Sequence, residues 1–217
     1  MKKIVVLISG RGSNFVAIAE AARQEKWRDQ GIEIACVLSN RPNAAGLAKA
    51  QAMGIETAVV DHTQYESRMG FENAMIEIID RYDPEVIVLA GFMRVLTAHF
   101  VGHYEGKILN IHPALLPLFK GLDTHARALQ AGVRVHGCTV HFVSPELDGG
   151  AIIGQAVVPV VPSDTPDTLA HRGLKLEHLL YARCVHAVAN GDVKLVNGHT
   201  VMNDEIASNL VVFDSSL

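Results

Sequence analysis

Two short segments of this chain hold the side chains needed to stabilise an oxyanion and to move protons. Asn110 and His112 end an apolar run that includes Ile108 and Leu109, and Asp148 precedes two glycines. An amide can donate to a developing negative oxygen, an imidazole exchanges a proton near neutral pH, and a carboxylate can orient that imidazole. Because Asn110 and His112 are two residues apart, they should leave a strand on the same face. We therefore predict Asn110, His112 and Asp148 as the catalytic residues of one site.

A glycine-rich segment at residues 9–14, Ser-Gly-Arg-Gly-Ser-Asn, follows the apolar run Ile4–Ile8. Glycines let backbone N–H groups approach an anion, and a helix N-terminus adds partial positive charge, so this segment suits a phosphate. The alternative is a tight strand-to-helix turn that Ser13 caps. A dinucleotide site is disfavoured, because Phe15 replaces the third glycine and the second strand ends without Asp or Glu, at residues 39–41.

Short apolar runs typical of buried strands alternate with segments whose apolar residues have helical spacing. This alternation predicts an α/β fold, a Rossmann-like, mostly parallel twisted sheet flanked by helices. The predicted strands are residues 4–8, 32–38, 57–60, 86–89 and 107–111, and the predicted helices are 13–26, 44–53, 65–81 and 97–103.

After Pro117 the pattern changes. Residues 137–143 alternate apolar and polar side chains and residues 151–161 are rich in β-branched ones, which predicts an antiparallel C-terminal extension of the sheet. Thr165 followed by Pro166 is typical of a helix start, and this helix should run to about residue 189. Residues 193–202 turn at Asn197-Gly198 and predict a hairpin. We expect a single domain over 1–217 with two halves, 1–110 and 111–217.

Composition limits the class of protein. The chain has 217 residues, of which 49% are hydrophobic and 19% charged, with a formal net charge of −4. These values favour a folded core, and they disfavour binding to nucleic acid through bulk charge. The three cysteines are odd in number and widely spaced, which fits neither a disulfide framework nor a zinc site. No segment suits a membrane span or a signal peptide, so we expect a reduced, cytoplasmic protein.

Four motifs together resemble the folate-dependent formyltransferase family. They are the glycine-rich segment with its preceding strand (4–14), Leu-Ala-Gly-Phe-Met-Arg (89–94), Leu-Asn-Ile-His-Pro-Ala-Leu-Leu-Pro (109–117) and Glu-Leu-Asp-Gly-Gly (146–150). The third motif is similar across the whole family. The glycine-rich segment is similar to members that formylate a phosphorylated glycinamide. The resemblance implies that the formyl group of 10-formyltetrahydrofolate passes to the amine of 5'-phosphoribosylglycinamide in purine biosynthesis.

The resemblance also implies roles for individual residues. Asn110 and a protonated His112 would hold the oxyanion, while Asp148 would pair with His112 and relay protons. The phosphate and ribose of the acceptor would contact Gly12, Ser13, Asn14 and Glu177. The folate pocket would be lined by Arg68, Met93, Arg94, Val95, Leu96 and Asn110. Residues 1–110 would then be the phosphate-binding half and 111–217 the folate-binding and catalytic half. The co-substrate is 10-formyltetrahydrofolate, and no metal is expected.

Several alternatives stay open. The acceptor could be another amine such as an amino sugar, the folate could simply be hydrolysed, or the chain could bind a nucleotide without catalysis. The larger formyltransferases and deformylases of this family carry a further domain, for which we expect no room here. Asp123 and Pro145 depart from the family pattern beside the site. We expect small-molecule partners only, and either a monomer or a homodimer.

Four other histidines and one proline bond lie outside the predicted set of site residues. His99 and His103 have metal-ligand spacing on a predicted helix, but no third ligand is evident, so we interpret the spacing as coincidence. The resemblance places His125 and His141 near the site in supporting roles. It also makes Leu116-Pro117 a candidate cis peptide bond.

Overall fold

A sheet flanked by helices is the framework of the computed structural model, which describes residues 1–214. The strands are β1 (Lys2–Ile8), β2 (Ile32–Ser39), β3 (Glu56–Val59), β4 (Val86–Leu89), β5 (Ile108–His112), β6 (Val135–Phe142), β7 (Ile152–Pro159), β8 (Lys194–Val196), β9 (His199–Val201) and β10 (Val211–Phe213). The helices are α1 (Ser13–Gln24), α2 (Ala45–Ala52), α3 (Arg68–Ile79), α4 (Ala98–His103), α5 (Thr124–Gln130), α6 (Pro166–Asn190) and α7 (Asp204–Asn209).

The main sheet has the strand order β10-β7-β6-β5-β4-β1-β2-β3. Strands β1 to β5 pair in parallel, which confirms the Rossmann-like prediction, and β6 pairs antiparallel with both β5 and β7, which confirms the antiparallel extension. The chain leaves β1 on one side for β2 and β3, and on the other side for β4 and β5. Crevices at such a switch point, at the carboxyl ends of the strands, are where open α/β sheets bind ligands.

The central strand β1 explains how the sheet forms. Five consecutive residues, Ile4–Ile8, are fully buried, because alternate side chains enter separate apolar cores on the two faces of the sheet. Helix α6 covers one face. There the Tyr181 hydroxyl lies 3.0 Å from the Leu89 carbonyl and 2.9 Å from the Leu109 carbonyl, and donates between them. This contact ties the long helix to β4 and β5, directly below the predicted site.

Helix ends follow local capping chemistry. The predicted start of α6 is confirmed, since the Thr165 side chain accepts the Thr168 N–H and Pro166 occupies the first turn. Helix α3 begins at Arg68, three residues later than predicted, because the Ser67 side chain accepts the Gly70 N–H at 3.1 Å and caps the helix there.

The C-terminal region adds elements that the sequence did not predict. The hairpin prediction is confirmed by β8 and β9, with Asn197 and Gly198 both at positive φ in the turn. Helices α5 and α7 were not predicted, and β10 adds to the sheet in parallel with β7. The last three residues of the predicted domain, 215–217, lie outside the described residues. Within residues 1–214, no helix is long and apolar enough to cross a membrane.

Candidate active site

Asn110 and His112 lie at the carboxyl end of β5, where the parallel and antiparallel parts of the sheet meet. Their alternate positions on the strand place both side chains on one face, as predicted. Because β6 runs antiparallel to β5, His141 lies directly opposite Asn110 in the strand register. The sequence therefore supplied two members of this cluster, and the pairing of β5 with β6 supplied a third.

Asp148 reaches this cluster from the loop between β6 and β7. Its backbone is left-handed, with φ 49°, and its side chain is 8% exposed. The carboxylate Oδ2 lies 3.4 Å from His112 Nδ1 and accepts the Gly121 N–H at 2.9 Å, while Oδ1 lies 3.9 Å from His141 Nε2. The structure thus brings together Asn110, His112 and Asp148, the three residues predicted to be catalytic.

Both ring nitrogens of His112 face oxygen acceptors. Nε2 lies 2.9 Å from the Phe119 carbonyl, to which only an N–H can donate, and Nδ1 faces Asp148. A ring between two acceptors is fully satisfied when it is an imidazolium, which has two N–H donors. Since Nε2–H is held by a backbone carbonyl, Nδ1 is the nitrogen placed to gain and lose a proton beside Asp148.

His141 fixes the orientation of the Asn110 amide. Its Nδ1–H donates to the Phe142 carbonyl at 2.9 Å, which leaves Nε2 to accept from Asn110 Nδ2 at 3.2 Å. Burial lowers the pKa of His141, although the Phe142 carbonyl and Asp148 oppose that effect, and the neutral ring can accept this hydrogen bond. The family resemblance placed His141 near the site but could not assign this contact, because it depends on strand register.

A cavity of about 290 Å³ lies next to the cluster and includes Asn110, His141 and Asp148 in its wall. Its other walls come from the segment after β4 and the loop after β6, so both halves of the chain contribute. The lining residues are Leu89, Phe92, Met93, Arg94, Val95, Leu96, Leu122, Val143, Ser144, Pro145, Glu146 and Leu147. His112 is 5% exposed and is not among the residues that line the cavity. It contacts Asp148, which does line it.

Five of the six residues predicted for the folate pocket, Met93 to Leu96 and Asn110, therefore line this cavity. A buried polar chain fixes the loop that begins at Met93: its N–H donates to Ser9 Oγ at 2.8 Å, and the Ser9 hydroxyl donates to Asn40 Oδ1 at 2.6 Å. Arg68 is not brought to the cavity wall, since it is exposed at the first position of α3. Arg94 lies over the Phe71 ring, with its Cζ 5.3 Å from the ring centroid.

The glycine-rich segment joins β1 to α1 at the same edge of the sheet. Gly12, not Ser13, is the N-cap, and its φ of 65° is left-handed. A Cβ on Gly12 would lie 3.3 Å from the Cα of Gly46, and the Gly46 N–H donates to the Gly10 carbonyl at 3.0 Å, so α2 packs closely on this turn. The first N–H groups of a helix have no partner within the helix, and those at Ser13 and Asn14 begin α1.

Glu177 extends from α6 to this segment. The Asn14 side chain donates a hydrogen bond to the Glu177 carboxylate, and Asn14 Oδ1 is buried without a partner among the described residues. Burial raises the pKa of the Glu177 carboxyl, and the hydrogen bond from Asn14 opposes this rise. Asn14 and Glu177 are 163 positions apart in the sequence. The predicted phosphate and ribose contacts therefore meet only in the folded chain.

Two of the remaining histidines have hydrogen-bond partners away from the site. His99 pairs with Asn73 and His103 with Asp80, and residues 1–214 contain no group of three or more His, Cys, Asp or Glu arranged to hold a metal ion. His125 packs against His136, with ring centroids 5.1 Å apart, and burial lowers the pKa of His136 to about 4. The Leu116–Pro117 bond is cis, as the resemblance suggested.

A larger depression of about 790 Å³ lies elsewhere, between α1, α2 and the residues around Trp27. It contains none of the predicted site residues.

The chain is similar in sequence and in structure to known proteins of one family. The family profile described as formyl transferase matches residues 2–185. The phosphoribosylglycinamide formyltransferase of Escherichia coli K12 is 45% identical over 192 residues, which cover 88% of this chain and 89% of that protein. The structure of a phosphoribosylglycinamide formyltransferase from Coxiella burnetii superposes with a TM-score of 0.88 at 42% identity and covers 98% of each chain.

A second kind of relative is much longer. The trifunctional purine biosynthetic protein adenosine-3 of Gallus gallus is 47% identical over 193 residues, or 89% of this chain. Those residues are 19% of that protein, so this chain spans about a fifth of its length.

Proposed function

This chain belongs to the formyl transferase family, and we propose that it transfers the formyl group of 10-formyltetrahydrofolate to the amine of 5'-phosphoribosylglycinamide. The products are formylglycinamide ribonucleotide and tetrahydrofolate, a step of de novo purine biosynthesis. The observation that carries the proposal is the convergence of Asn110, His112 and Asp148 beside the cavity that Met93 to Leu96 line. Relatives of similar length carry the name of this enzyme.

The reaction begins when the acceptor amine attacks the formyl carbon and forms a tetrahedral intermediate with a negatively charged oxygen. The Asn110 amide donates to that oxygen, and it is held ready by its hydrogen bond to His141 Nε2 at 3.2 Å. The His112 imidazolium adds positive charge nearby. The Asn110 donor is oriented before the reaction starts, so little reorganisation is needed as charge develops.

The proton balance runs through the His112–Asp148 pair. The attacking amine loses a proton, and the folate nitrogen gains one when its bond to the formyl carbon breaks. Asp148 lines the cavity, so its carboxylate can accept the first proton from the amine and return one to the leaving nitrogen, while His112, with Nδ1 3.4 Å from that carboxylate, can share the proton with it. No covalent intermediate on the protein and no metal are required by this scheme.

The acceptor binds at the switch point of the sheet. We assign its phosphate to the N-terminus of α1 at Gly12, Ser13 and Asn14, where unpaired N–H groups and the helix dipole favour an anion. Glu177 accepts hydrogen bonds from the ribose hydroxyls, and its contact with Asn14 connects the two subsites. Residues 1–110 thus carry the phosphate site in our scheme, and the catalytic side chains come from 110 onward.

The folate occupies the 290 Å³ cavity. A pterin hydrogen-bonds along one edge and otherwise needs apolar walls, which suits backbone groups beside Val95, Leu96 and Leu147. We assign the exposed Arg68, which does not line the cavity, to the anionic tail of the cofactor. We predict that the protein is a monomer or a homodimer and that it is cytoplasmic.

The test is acceptor-dependent release of tetrahydrofolate from 10-formyltetrahydrofolate. Release that requires phosphoribosylglycinamide supports the proposal. Release without any acceptor would indicate a hydrolase, and release only with an amino sugar would indicate a different acceptor. Absence of release with every acceptor would favour a non-catalytic nucleotide-binding protein.

A further inference from the structure

Residues 119–122, here called the strap, contact both members of the His112–Asp148 pair through their backbone. The Phe119 carbonyl accepts His112 Nε2–H at 2.9 Å. Two residues later, the Gly121 N–H donates to Asp148 Oδ2 at 2.9 Å. Because one short backbone segment contacts both side chains, a shift of the strap would change the orientation of the imidazole and of the carboxylate together.

The strap has a backbone conformation that side chains disfavour. Phe119 has φ 55°, Gly121 has φ 81°, and Asp123, the residue after the strap, has φ 56°. Left-handed φ brings Cβ of a non-glycine residue close to its own backbone, so such residues persist only where surrounding contacts hold them.

Arg127 makes those contacts. Its Nη1 donates to the Lys120 carbonyl at 2.7 Å and to the Leu122 carbonyl at 3.2 Å. Its Cζ also lies 5.7 Å from the centroid of the Phe119 ring, a cation–π distance. The guanidinium therefore contacts three of the four strap residues, and it reaches them from the first turns of α5, which follows the strap directly.

Arg127 is itself exposed, but its two hydrogen bonds hold backbone carbonyls of the strap, whereas the side-chain contacts of Lys120 and Phe119 hold only side chains. Lys120 Nζ lies 2.7 Å from Glu146 Oε1, but the Glu146 side chain is 71% exposed. Exposed ion pairs contribute little to stability, because water and salt screen them. The ring of Phe119 also meets His136 edge-on, with centroids 6.1 Å apart, which fixes the ring but leaves the strap carbonyls free to turn.

We propose that Arg127 is a positioning residue for the formyl transfer, acting through the strap on His112 and Asp148 without contacting the substrates. This inference rests on the proposed function. The strap directs the Phe119 carbonyl to His112 Nε2, which leaves Nδ1 as the nitrogen that exchanges a proton. Loss of the Arg127 contacts would let the left-handed segment relax and would misalign the pair, while the phosphate site at the N-terminus of α1 stays intact.

The experiment compares Arg127→Met with Arg127→Lys. Methionine keeps an unbranched stem over Phe119 but removes the donors, whereas the lysine ammonium can still donate to both carbonyls. We expect R127M to lower kcat and the single-turnover rate by about 10- to 100-fold, as small misplacements of reacting groups do. KM for the acceptor should change by less than about threefold, because its phosphate site does not involve the strap, whereas KM for the folate can rise because Leu122 lines that cavity. R127K should recover at least part of the lost kcat.

The matched control is Arg134→Ala, which removes an exposed arginine near the same helix and should behave as wild type. Circular dichroism and Tm establish that each variant is folded, and Arg127→Gln replaces R127M under the same kcat criterion if R127M does not fold. The inference is wrong if kcat stays within twofold of wild type, if KM rises at constant kcat, or if R127K is as impaired as R127M. A wild-type chain without acceptor-dependent turnover would instead refute the proposed function.

Discussion

Replacing Asp148 with Asn is the sharpest test of the proton pathway. The substitution preserves size, and Asn adopts a left-handed backbone at least as readily as Asp, so φ 49° adds no new strain. What changes is charge and hydrogen bonding. Both contacts use Oδ2. An amide NH2 at that position would face the Gly121 N–H and a His112 Nδ1–H donor against donor, whereas the amide oxygen there would keep both hydrogen bonds but lose the negative charge.

The magnitude follows from the geometry. Opposite unit charges 3.4 Å apart, the distance from His112 Nδ1 to Asp148 Oδ2, attract by about 5 kcal/mol at an effective dielectric constant of about 20. The pair is largely buried, with side chains 6% and 8% exposed, so solvent screens it little. Loss of the carboxylate removes a proton acceptor as well as this attraction. We therefore expect kcat to fall by about 100- to 10,000-fold, the usual contribution of general acid–base catalysis.

The assay is the initial rate of acceptor-dependent tetrahydrofolate formation at saturating concentrations of both substrates, with KM measured for each. The control is Asp123→Asn, which makes the same chemical change at an exposed residue with a similar left-handed φ of 56°. We expect the control to retain kcat within about threefold, as surface substitutions away from buried contacts usually do. A folded D148N protein with more than a tenth of the wild-type kcat would refute the role assigned to Asp148.

Three further variants test acceptor binding and stability. Glu177→Gln should raise KM for the acceptor by about 10- to 100-fold, through loss of charge-assisted hydrogen bonds. Because burial raises the folded-state pKa of Glu177 above 4.5, this carboxyl favours folding below that pH, and its contribution is lost as pH rises through the folded pKa. E177Q should therefore exceed wild type in Tm near pH 7 and by less at pH 4, and an equal difference at both pH values would contradict this. Gly12→Ala should destabilise the protein by about 1–2 kcal/mol because φ is 65°, and an unchanged urea midpoint would show that the turn relaxes freely. Tyr181→Phe should lower the free energy of unfolding by about 1–3 kcal/mol by leaving two buried carbonyls without their donor, and unchanged stability would mean that those carbonyls find other donors.

The sequence predicted the first half of the fold well, because local patterns carry the information there. A fully buried strand such as Ile4–Ile8 must be covered on both sides, and its alternation with helical segments leaves a parallel sheet as the simple solution. The later elements depend on distant partners. Strand β10 has three residues and little pattern of its own, and it exists through pairing with β7, more than 50 positions earlier in the chain.

The residue types of the site were likewise visible in the sequence, since an Asn, a His and an Asp beside chain-bending residues indicate acid–base chemistry wherever they meet. Their partners were not visible. His141 lies opposite Asn110 only because β6 pairs with β5 in one register, and a shift of one residue would point its side chain to the other face. Arg127 is an exposed residue of a short helix, and only the folded chain shows that its guanidinium reaches the strap carbonyls.

Short-range sterics and hydrophobic periodicity therefore determined the strands, the glycine turn and the identity of the reactive side chains, because these depend on residues that are neighbours in the sequence. Tertiary structure alone decided which atom of His112 faces Asp148 and that the His141 ring holds Asn110. It also decided that Arg127 contacts the strap beside the His112–Asp148 pair. Those choices are made by hydrogen bonds between segments whose spacing in the chain carries no periodic signal, so only the packed sheet and its loops could determine them.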